Sequence, residues 1–161
     1  MTQDLVRALG YLSLGSRLKR LGERLQTDVQ QVATELSFPL QPGLFPILAA
    51  LGRDGPCTVN HLAGALGVAQ PGVTRSLTKL AKLGLARMSR GTIDQRQRLV
   101  ELTEAGRSVS GKAEKELWPI VEATVRKLCE PLNGSLLEQI GAIEDALDDV
   151  PLHQRIVEER K

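Results

Sequence analysis

A stripe of leucines marks the first part of the chain. Leu14, Leu18, Leu21 and Leu25 follow one another at intervals of four, three and four residues, and Val29 continues the series. Such intervals place side chains on one face of a helix, so the pattern predicts a single amphipathic helix of about eight turns. Its apolar face needs a partner surface, which packing within the chain or a second copy of the chain can supply.

Two prolines and a glycine in the segment 36–43 end this helix. Pro42 suits the first turn of a second helix, which we predict to run through Leu51. Pro46 then falls inside the second helix, where a proline costs a backbone hydrogen bond, and nothing in the pattern accounts for it.

A short helix and a longer one are predicted next, separated by a tight turn. Thr58 can cap a helix that runs to Leu66, and Gly67 suits the left-handed residue that closes it. The longer helix begins near Gln70 and ends at Gly84. Its inward positions are Val73, Leu77 and Leu80, and its outward positions are Gln70, Thr74, Arg75, Thr78, Lys79 and Lys82.

Two strand-like runs, 85–89 and 98–102, flank a polar connection that contains Gly91 and Asp94, which predicts a β-hairpin. A short helix, a turn, a basic-faced helix and a charged hairpin together make a winged helix-turn-helix. In that arrangement one helix enters the major groove of DNA, and the hairpin reaches the backbone or the minor groove.

The last third of the chain is predicted to be helical. Thr103 begins a long helix, which Pro119 should kink or end near Trp118 because proline lacks a backbone N–H. Ser135 and the glutamate three residues later have the spacing of a capping box, so a final helix follows and runs to about Asp149.

Charge is concentrated in the middle of the chain. Residues 69–98 contain seven basic side chains and one acidic side chain, whereas the net charge is +1 for residues 1–68 and −5 for residues 99–161. A solvated surface usually mixes both signs, so the basic block favours a polyanionic partner. Aromatic residues make up only 2% of the chain, which argues against base stacking on single strands.

Several other classes of protein are disfavoured by the sequence. It contains no catalytic triad pattern, no paired catalytic carboxylates and no phosphate-binding glycine loop, so we expect neither enzyme activity nor a cofactor. His61 and His153 are too few and too scattered for a metal site. Cys57 and Cys129 are most simply small buried side chains, with redox sensing as the open alternative. The absence of a long apolar run or leader pattern suggests a cytoplasmic protein without membrane contact.

Three motifs resemble the MarR family of bacterial transcriptional regulators, and the resemblance covers nearly the whole chain. They are the segment TVNHLA from Thr58, the segment VAQPGVTR from Val68, and DQRQRLVELTEAG from Asp94, which is similar to the family's D-x-R wing followed by LT-x-x-G. Ala69 stands where the family commonly has a capping residue. Trp118 beside Pro119 is expected either in the core or in a ligand pocket.

The resemblance implies a mainly helical fold with a small β-hairpin wing, flanked by N- and C-terminal dimerisation helices. The whole chain, 1–161, would form one domain, with a helical dimerisation region at 1–36 and 104–161 and a winged helix-turn-helix at 40–103. Family members are homodimers whose first and last helices intertwine. The apolar segments near 5–25 and 136–150 would form that interface here.

The resulting hypothesis is a sequence-specific regulator that binds a pseudo-palindromic operator in double-stranded DNA as a homodimer, most often a ligand-responsive repressor. Its small-molecule effector would be aromatic or phenolic. A winged-helix dimer that acts as a protein adaptor without DNA binding is the alternative. By the resemblance, Arg96 enters the minor groove and Asp94 holds the wing in shape. The candidate DNA-binding residues are Gln70, Pro71, Thr74, Arg75, Thr78, Lys79, Arg90, Arg96 and Arg98.

Overall fold

The computed structural model describes residues 3–90 and 98–160, with the side chain of Arg90 excepted. The chain divides into two compact units, Met1–Trp118 and Pro119–Lys161. Within the described part of the chain, no helix combines the length and the apolar character that crossing a bilayer requires.

The helices and strands are numbered in chain order. The first unit contains α1 (Leu5–Ala8), α2 (Leu14–Glu35), α3 (Phe45–Asp54), β1 (Cys57–Thr58), α4 (Val59–Ala65), α5 (Gln70–Lys82), β2 (Ala86–Arg90), β3 (Arg98–Leu102) and α6 (Glu104–Lys112). Helix α7 (Trp118–Cys129) begins at the last residue of this unit, and the second unit continues with α8 (Leu136–Asp149) and α9 (Leu152–Glu159).

The leucine stripe lies within one helix, α2, as the pattern predicts, but the chain before it is not part of that helix. Gly10 adopts a φ of 58°, a left-handed conformation that an α-helix cannot contain, and a 3₁₀ turn, Gly10–Ser13, separates α1 from α2. The single amphipathic helix is therefore confirmed for the stripe itself, but α2 has 22 residues, about six turns rather than the expected eight. The short α1 is fixed by Asp4, whose carboxylate accepts from the N–H of Arg7 and lies 2.9 Å from the guanidinium of Arg20.

The position of Pro46 is explained by where α3 begins. Residues Pro42–Leu44 form a 3₁₀ turn, and the α-helix starts only at Phe45. Pro46 therefore lies in the first turn, where its missing N–H would have had no helical partner. The predicted start at Pro42 was three residues too early.

The helix-turn-helix follows the prediction closely. The Thr58 hydroxyl oxygen accepts from the N–H of His61 and caps α4, and Gly67 takes a φ of 60° beyond its end. Helix α5 buries Val73, Leu77 and Leu80 completely or nearly so, as its spacing predicts. With Leu48 and Leu62 these side chains form the centre of the core.

The hairpin is part of a three-stranded antiparallel sheet with the order β1-β3-β2. Ala86 lies opposite Leu102 and Arg90 opposite Arg98, which confirms the predicted pairing of the two long strands. Strand β1 was not predicted, because two residues are too few to show an alternating pattern. It pairs Cys57 with Val100 and so attaches the start of α4 to the hairpin.

The junction between β3 and α6 explains the spacing of the LT-x-x-G motif. The hydroxyl group of Thr103 donates to the carbonyl oxygen of Gly84 at 2.6 Å and accepts from the N–H of Gly106 at 3.0 Å. The backbone N–H of Thr103 donates to the carbonyl oxygen of Leu85. The motif therefore fixes the hairpin to the end of α5.

Pro119 does not end the helix that begins after Thr103. The chain passes from α6 through a π-helical turn, Ala113–Leu117, directly into α7. The N–H of Trp118 donates to the carbonyl oxygen of Ala113, five residues back. A π-turn beside a proline is a common way to accommodate the lost hydrogen bond.

In the second unit, the Ser135 hydroxyl oxygen accepts from the N–H of Glu138, as the capping-box spacing predicts. Pro151 ends α8 but also opens α9, which the pattern did not reveal. The guanidinium of Arg155 donates to the carbonyl oxygens of Ala146 and Val150 and so satisfies the end of α8.

Both units expose large apolar side chains along their helices. In the first unit these are Leu5, Leu9, Tyr11, Leu12, Leu18 and Leu21, and in the second they include Leu137, Ile143, Leu147, Leu152 and Ile156. Tyr11 and Leu12 are 92% and 85% exposed, which is unusual for side chains of this type on a helical segment.

Candidate nucleic-acid interface

Helix α5 presents one polar face to solvent while its opposite face is held in the core. Gln70 and Pro71 occupy its first turn, and Arg75, Thr78 and Lys79 are exposed farther along. No acidic residue occurs between Gln70 and Lys82. The outward face is therefore polar and positively charged over its whole length.

Two of the predicted contact residues already use their hydroxyl protons within the helix. The hydroxyl of Thr74 donates to the carbonyl oxygen of Gln70 at 3.0 Å, and that of Thr78 donates to the carbonyl oxygen of Thr74 at 2.8 Å. Each hydroxyl oxygen keeps lone pairs, and each side chain keeps its methyl group. These threonines are thus suited to accept a hydrogen bond or to contact a thymine methyl group.

Helix α5 begins without a side-chain cap, because Ala69 occupies the capping position. The N–H groups of Gly72 and Val73 both donate to the carbonyl oxygen of Ala69. The side chain of Gln70 is exposed beside this helix start. An exposed helix N-terminus favours nearby negative charge.

Two arginines at the root of the wing differ in how the described residues surround them. Arg98 is exposed at the start of β3. Arg87 lies opposite Glu101 in the hairpin and its Nε–H donates to that carboxylate at 2.8 Å, which raises the pKa of Arg87. Arg87 belongs to the basic block by sequence, and in the structure it is exposed and paired with Glu101.

The tip of the wing lies outside the described residues. Asp94 and Arg96 fall in the segment 91–97, and the side chain of Arg90 is likewise not described. Their assigned roles stay predictions.

The structure brings Gln70, Thr74 and Arg98 together around one cleft between α5 and the wing root. Four residues that the sequence analysis did not name as DNA contacts also line this cleft, namely Thr58, Val59, Asn60 and Met88. The pairing of β1 with β3 brings the start of α4 to the wing root, and a two-residue strand leaves no readable signal in the sequence. The cleft has a volume of about 370 Å³. Arg75 and Lys79 lie on the other side of α5, where they line a second, more apolar cleft with Pro46 and Val68.

Comparison with known proteins shows what this arrangement is similar to. The model of the MarR family matches residues 39–92, which include α3, α4, α5 and β2. The transcriptional regulator FarR of Neisseria gonorrhoeae is 26% identical over 141 residues, which are 86% of this chain and 95% of that protein. Over residues 39–92 the chain is therefore similar to the MarR family.

Solved structures of MarR family proteins share the fold. A mutant of MarR from E. coli, crystallised with operator DNA, has a TM-score of 0.65 and 19% identity, and the match covers 92% of this chain and 99% of that one. BpsR from Bordetella bronchiseptica, whose DNA binding is regulated by 6-hydroxynicotinic acid, has a TM-score of 0.64 and 25% identity over 85% of this chain and 94% of its own. The winged-helix fold expected from the sequence is confirmed.

The first unit also has a larger cleft of about 600 Å³, whose lining includes no residue of α5. It is bounded by α3, the end of α4, α6 and the π-turn. Trp118 lines it and also packs edge-on against Phe45, with 6.3 Å between the ring centroids. The indole N–H of Trp118 is buried and has no hydrogen-bond partner among the described residues. Trp118 therefore packs against the core, as one of the two expectations has it, and also lines a cleft, whose use as a ligand pocket stays a prediction.

Two guanidinium groups reach the same cleft. Arg53 forms a bidentate pair with Asp54, with N···O distances of 2.7 and 3.0 Å, and Arg107 donates to the carbonyl oxygen of Leu102 at 2.8 Å. Glu114 contributes the opposing carboxylate. The cleft thus combines an indole with charged donors at its rim.

The cysteines do not form a metal or disulfide site. Both Cys57 and Cys129 are half-buried and free, and the described residues contain no cluster of histidine, cysteine and carboxylate side chains that could hold a metal ion. Partial burial raises the pKa of the Cys57 thiol, and the nearby charge of Asp54 raises it further. A raised pKa lowers the thiolate fraction at neutral pH and with it the reactivity of the thiol.

Proposed function

We propose that the protein is a DNA-binding transcriptional regulator that binds a pseudo-palindromic operator as a homodimer. The observation that carries this proposal is the exposed face of α5, which holds Arg75 and Lys79, contains no carboxylate, and stands on three fully buried side chains of the same helix. A rigid, basic helix of this kind fits the major groove, where base edges display distinct donors and acceptors.

The candidate residues divide by the kind of contact they can make. Gln70 can bind an adenine edge in bidentate fashion, and Arg75 can do the same with guanine. Lys79 and Arg98 are suited to phosphates, while Pro71 can contact a thymine methyl group. For the wing tip we retain the prediction that Arg96 enters the minor groove.

The homodimer is supported by the apolar side chains that each unit exposes. Leu5, Tyr11 and Leu12 in the first unit and Leu137 and Leu152 in the second are all more than half exposed. Contiguous apolar surface on a soluble protein usually marks an interface. Two copies related by a twofold axis would set two α5 helices in successive major grooves, about 34 to 36 Å apart.

The alternative role as an adaptor without DNA binding is not favoured. An adaptor would not need a DNA-binding face on α5, whereas α5 keeps an unbroken polar and basic face. Solved structures with this fold include MarR from E. coli complexed with operator DNA and MepR from S. aureus in complex with DNA. Because its ligand is the operator, we place the protein in the cytoplasm.

We further propose that a small aromatic or phenolic molecule regulates binding from the Trp118 cleft. Its ring would stack against the indole, and a carboxylate or hydroxyl group would face the indole N–H and the guanidinium of Arg53. An effector can shift the dimer only by binding one arrangement of the two reading helices more tightly than another.

Binding of purified protein to fragments of genomic DNA, followed by sequencing of the retained fragments, tests the function directly. We expect enrichment of a short inverted repeat. Light scattering at micromolar concentration should show a stable dimer. A stable monomer, or retention of fragments without a shared motif, would contradict the proposal.

A further inference from the structure

Strand β1 determines what lies beside Arg98 at the root of the wing. Thr58 pairs with Leu99 in the sheet and also caps α4. Asn60, the second residue of α4, thus lies two residues beyond this paired strand position. Asn60 and Arg98 line the same cleft as Gln70.

The polar groups around this cleft are mostly hydrogen-bond donors. The side-chain amide of Asn60 offers two N–H groups, and the guanidinium of Arg98 offers five. The hydroxyl oxygen of Thr58 accepts from the N–H of His61 and keeps its own proton to donate. Among the described residues that line the cleft, none has a carboxylate. Such a set of groups suits an oxygen-rich anion that only accepts hydrogen bonds.

We propose that Asn60 and Arg98 together clamp one DNA backbone phosphate in each half-site. The inference rests on the proposed function and adds a DNA contact from α4, outside both the recognition helix and the wing. Asn60 and Arg98 are exposed, so a phosphate can reach them without rearrangement. Phosphate contacts fix the register of a protein on the duplex rather than its sequence preference.

The clamp links three elements of the winged helix-turn-helix. Asn60 belongs to α4, Arg98 to β3 and Gln70 to the first turn of α5. A phosphate bound between them would hold the wing and the recognition helix at one fixed offset along the backbone. Loss of the clamp should therefore weaken operator and scrambled duplexes alike.

Substitutions at Asn60 test the clamp without removing a charge. Asn60→Ala should weaken binding of both duplexes about 3- to 10-fold and leave the salt dependence unchanged, because the amide is neutral. Asn60→Asp should weaken binding more than Asn60→Ala, since it places a carboxylate against the phosphate. Arg98→Ala should make the slope of log K against log salt shallower by about 1.

The matched control uses the chain's other asparagine. Asn133 is exposed in the second unit and has no place in the cleft, so Asn133→Asp should leave DNA affinity unchanged. Thermal unfolding of all variants separates loss of contact from loss of fold. If Asn60→Asp binds as tightly as the wild-type protein while the wild-type protein binds the operator, the clamp is wrong and the proposed function stands. If the wild-type protein does not bind duplex DNA, the proposed function itself fails.

A scan with neutral methylphosphonate linkages locates the phosphate. Replacing one specific phosphate in each half-site should weaken the wild-type protein, and the same replacement should have little further effect on Asn60→Ala. If methylphosphonate replacement weakens Asn60→Ala as much as it weakens the wild-type protein at every position, the clamp is wrong. Inorganic phosphate, added at constant ionic strength, distinguishes a free anion from the DNA backbone. Saturable phosphate binding that Asn60→Ala abolishes, but that leaves DNA affinity unchanged, would identify a site for a free anion and contradict a DNA contact.

Discussion

The carbonyl oxygen of Leu85 occupies the space that a Cβ atom on Gly106 would need. The same oxygen accepts a hydrogen bond from the N–H of Thr103 at 3.0 Å, so it cannot move aside without breaking the junction between the hairpin and α6. The glycine of the LT-x-x-G motif is thus required by the close approach of two backbone segments. Its φ is not in the left-handed region, so conformational freedom is not the reason.

Gly106→Ala should therefore destabilise the protein by about 3 kcal/mol, a large effect for a single added methyl group. Gly111→Ala is the matched control, because Gly111 lies in the same helix and a Cβ there would meet nothing within 4 Å. The control should be neutral or stabilising by up to about 1 kcal/mol. Denaturant unfolding of the two variants measures both values, and equal effects would contradict this account of the junction.

Arg75→Ala should cost about 1 to 3 kcal/mol of operator binding and reduce discrimination at one base position in each half-site. Gln70→Ala should likewise weaken operator binding and reduce discrimination at one base position in each half-site if its amide binds an adenine. Arg96→Ala should instead weaken binding to many DNA sequences and make the slope of log K against log salt shallower by about 1. An arginine inserted in the minor groove senses the negative electrostatic potential and the width of the groove rather than base identity.

Affinities for operator and scrambled duplexes across a salt series separate these outcomes. Lys127→Ala, which removes an exposed cation from α7, serves as the control and should change neither quantity. An unchanged affinity and slope for Arg96→Ala would remove the wing from the interface. If Arg75→Ala lowers the affinity for both duplexes equally, Arg75 contacts a phosphate rather than a base.

How far the sequence predicts the site depends on how each feature is encoded. The inward positions of α5, the cap at Thr58 and the two long strands follow from periodicity and local chemistry, and the structure has them where the pattern places them. The interruption at Gly10 and the strand Cys57–Thr58 depend on tertiary contacts that leave no periodic signal. Asn60 belongs to the second group, because only the pairing of that short strand brings it to the wing root.

The Trp118 cleft offers its own reporter, since this is the only tryptophan in the chain. Titration with aromatic acids and phenols should produce a saturable change in its fluorescence. The same compounds should lower the affinity for the operator about 5- to 150-fold. Bound operator should lower the affinity for the compounds by the same factor. Arg53→Gln should reduce affinity for aromatic carboxylates more than for neutral phenols. A fluorescence change without any effect on DNA affinity would mean that the cleft is not regulatory.

Cys57 should be a poor redox sensor because burial and the charge of Asp54 raise the pKa of its thiol. Its alkylation rate should keep rising with pH beyond the range where an unperturbed cysteine has levelled off. Asp54→Asn should lower the pKa of the thiol and speed alkylation at neutral pH. Oxidation by hydrogen peroxide should leave operator affinity unchanged. A loss of affinity on oxidation that Cys57→Ser abolishes would establish redox control and contradict this prediction.

Equilibrium binding of the protein to duplex DNA from upstream of its own coding sequence, measured over a series of salt concentrations, tests the central claim most directly. We expect one dimer per inverted repeat and a linear fall of log K with log salt, because several lysine and arginine side chains displace counterions from phosphates. We also expect the same protein to bind a scrambled duplex at least about 10³-fold more weakly. Equal affinity for both duplexes, or no binding at any salt concentration, would contradict a sequence-specific regulator.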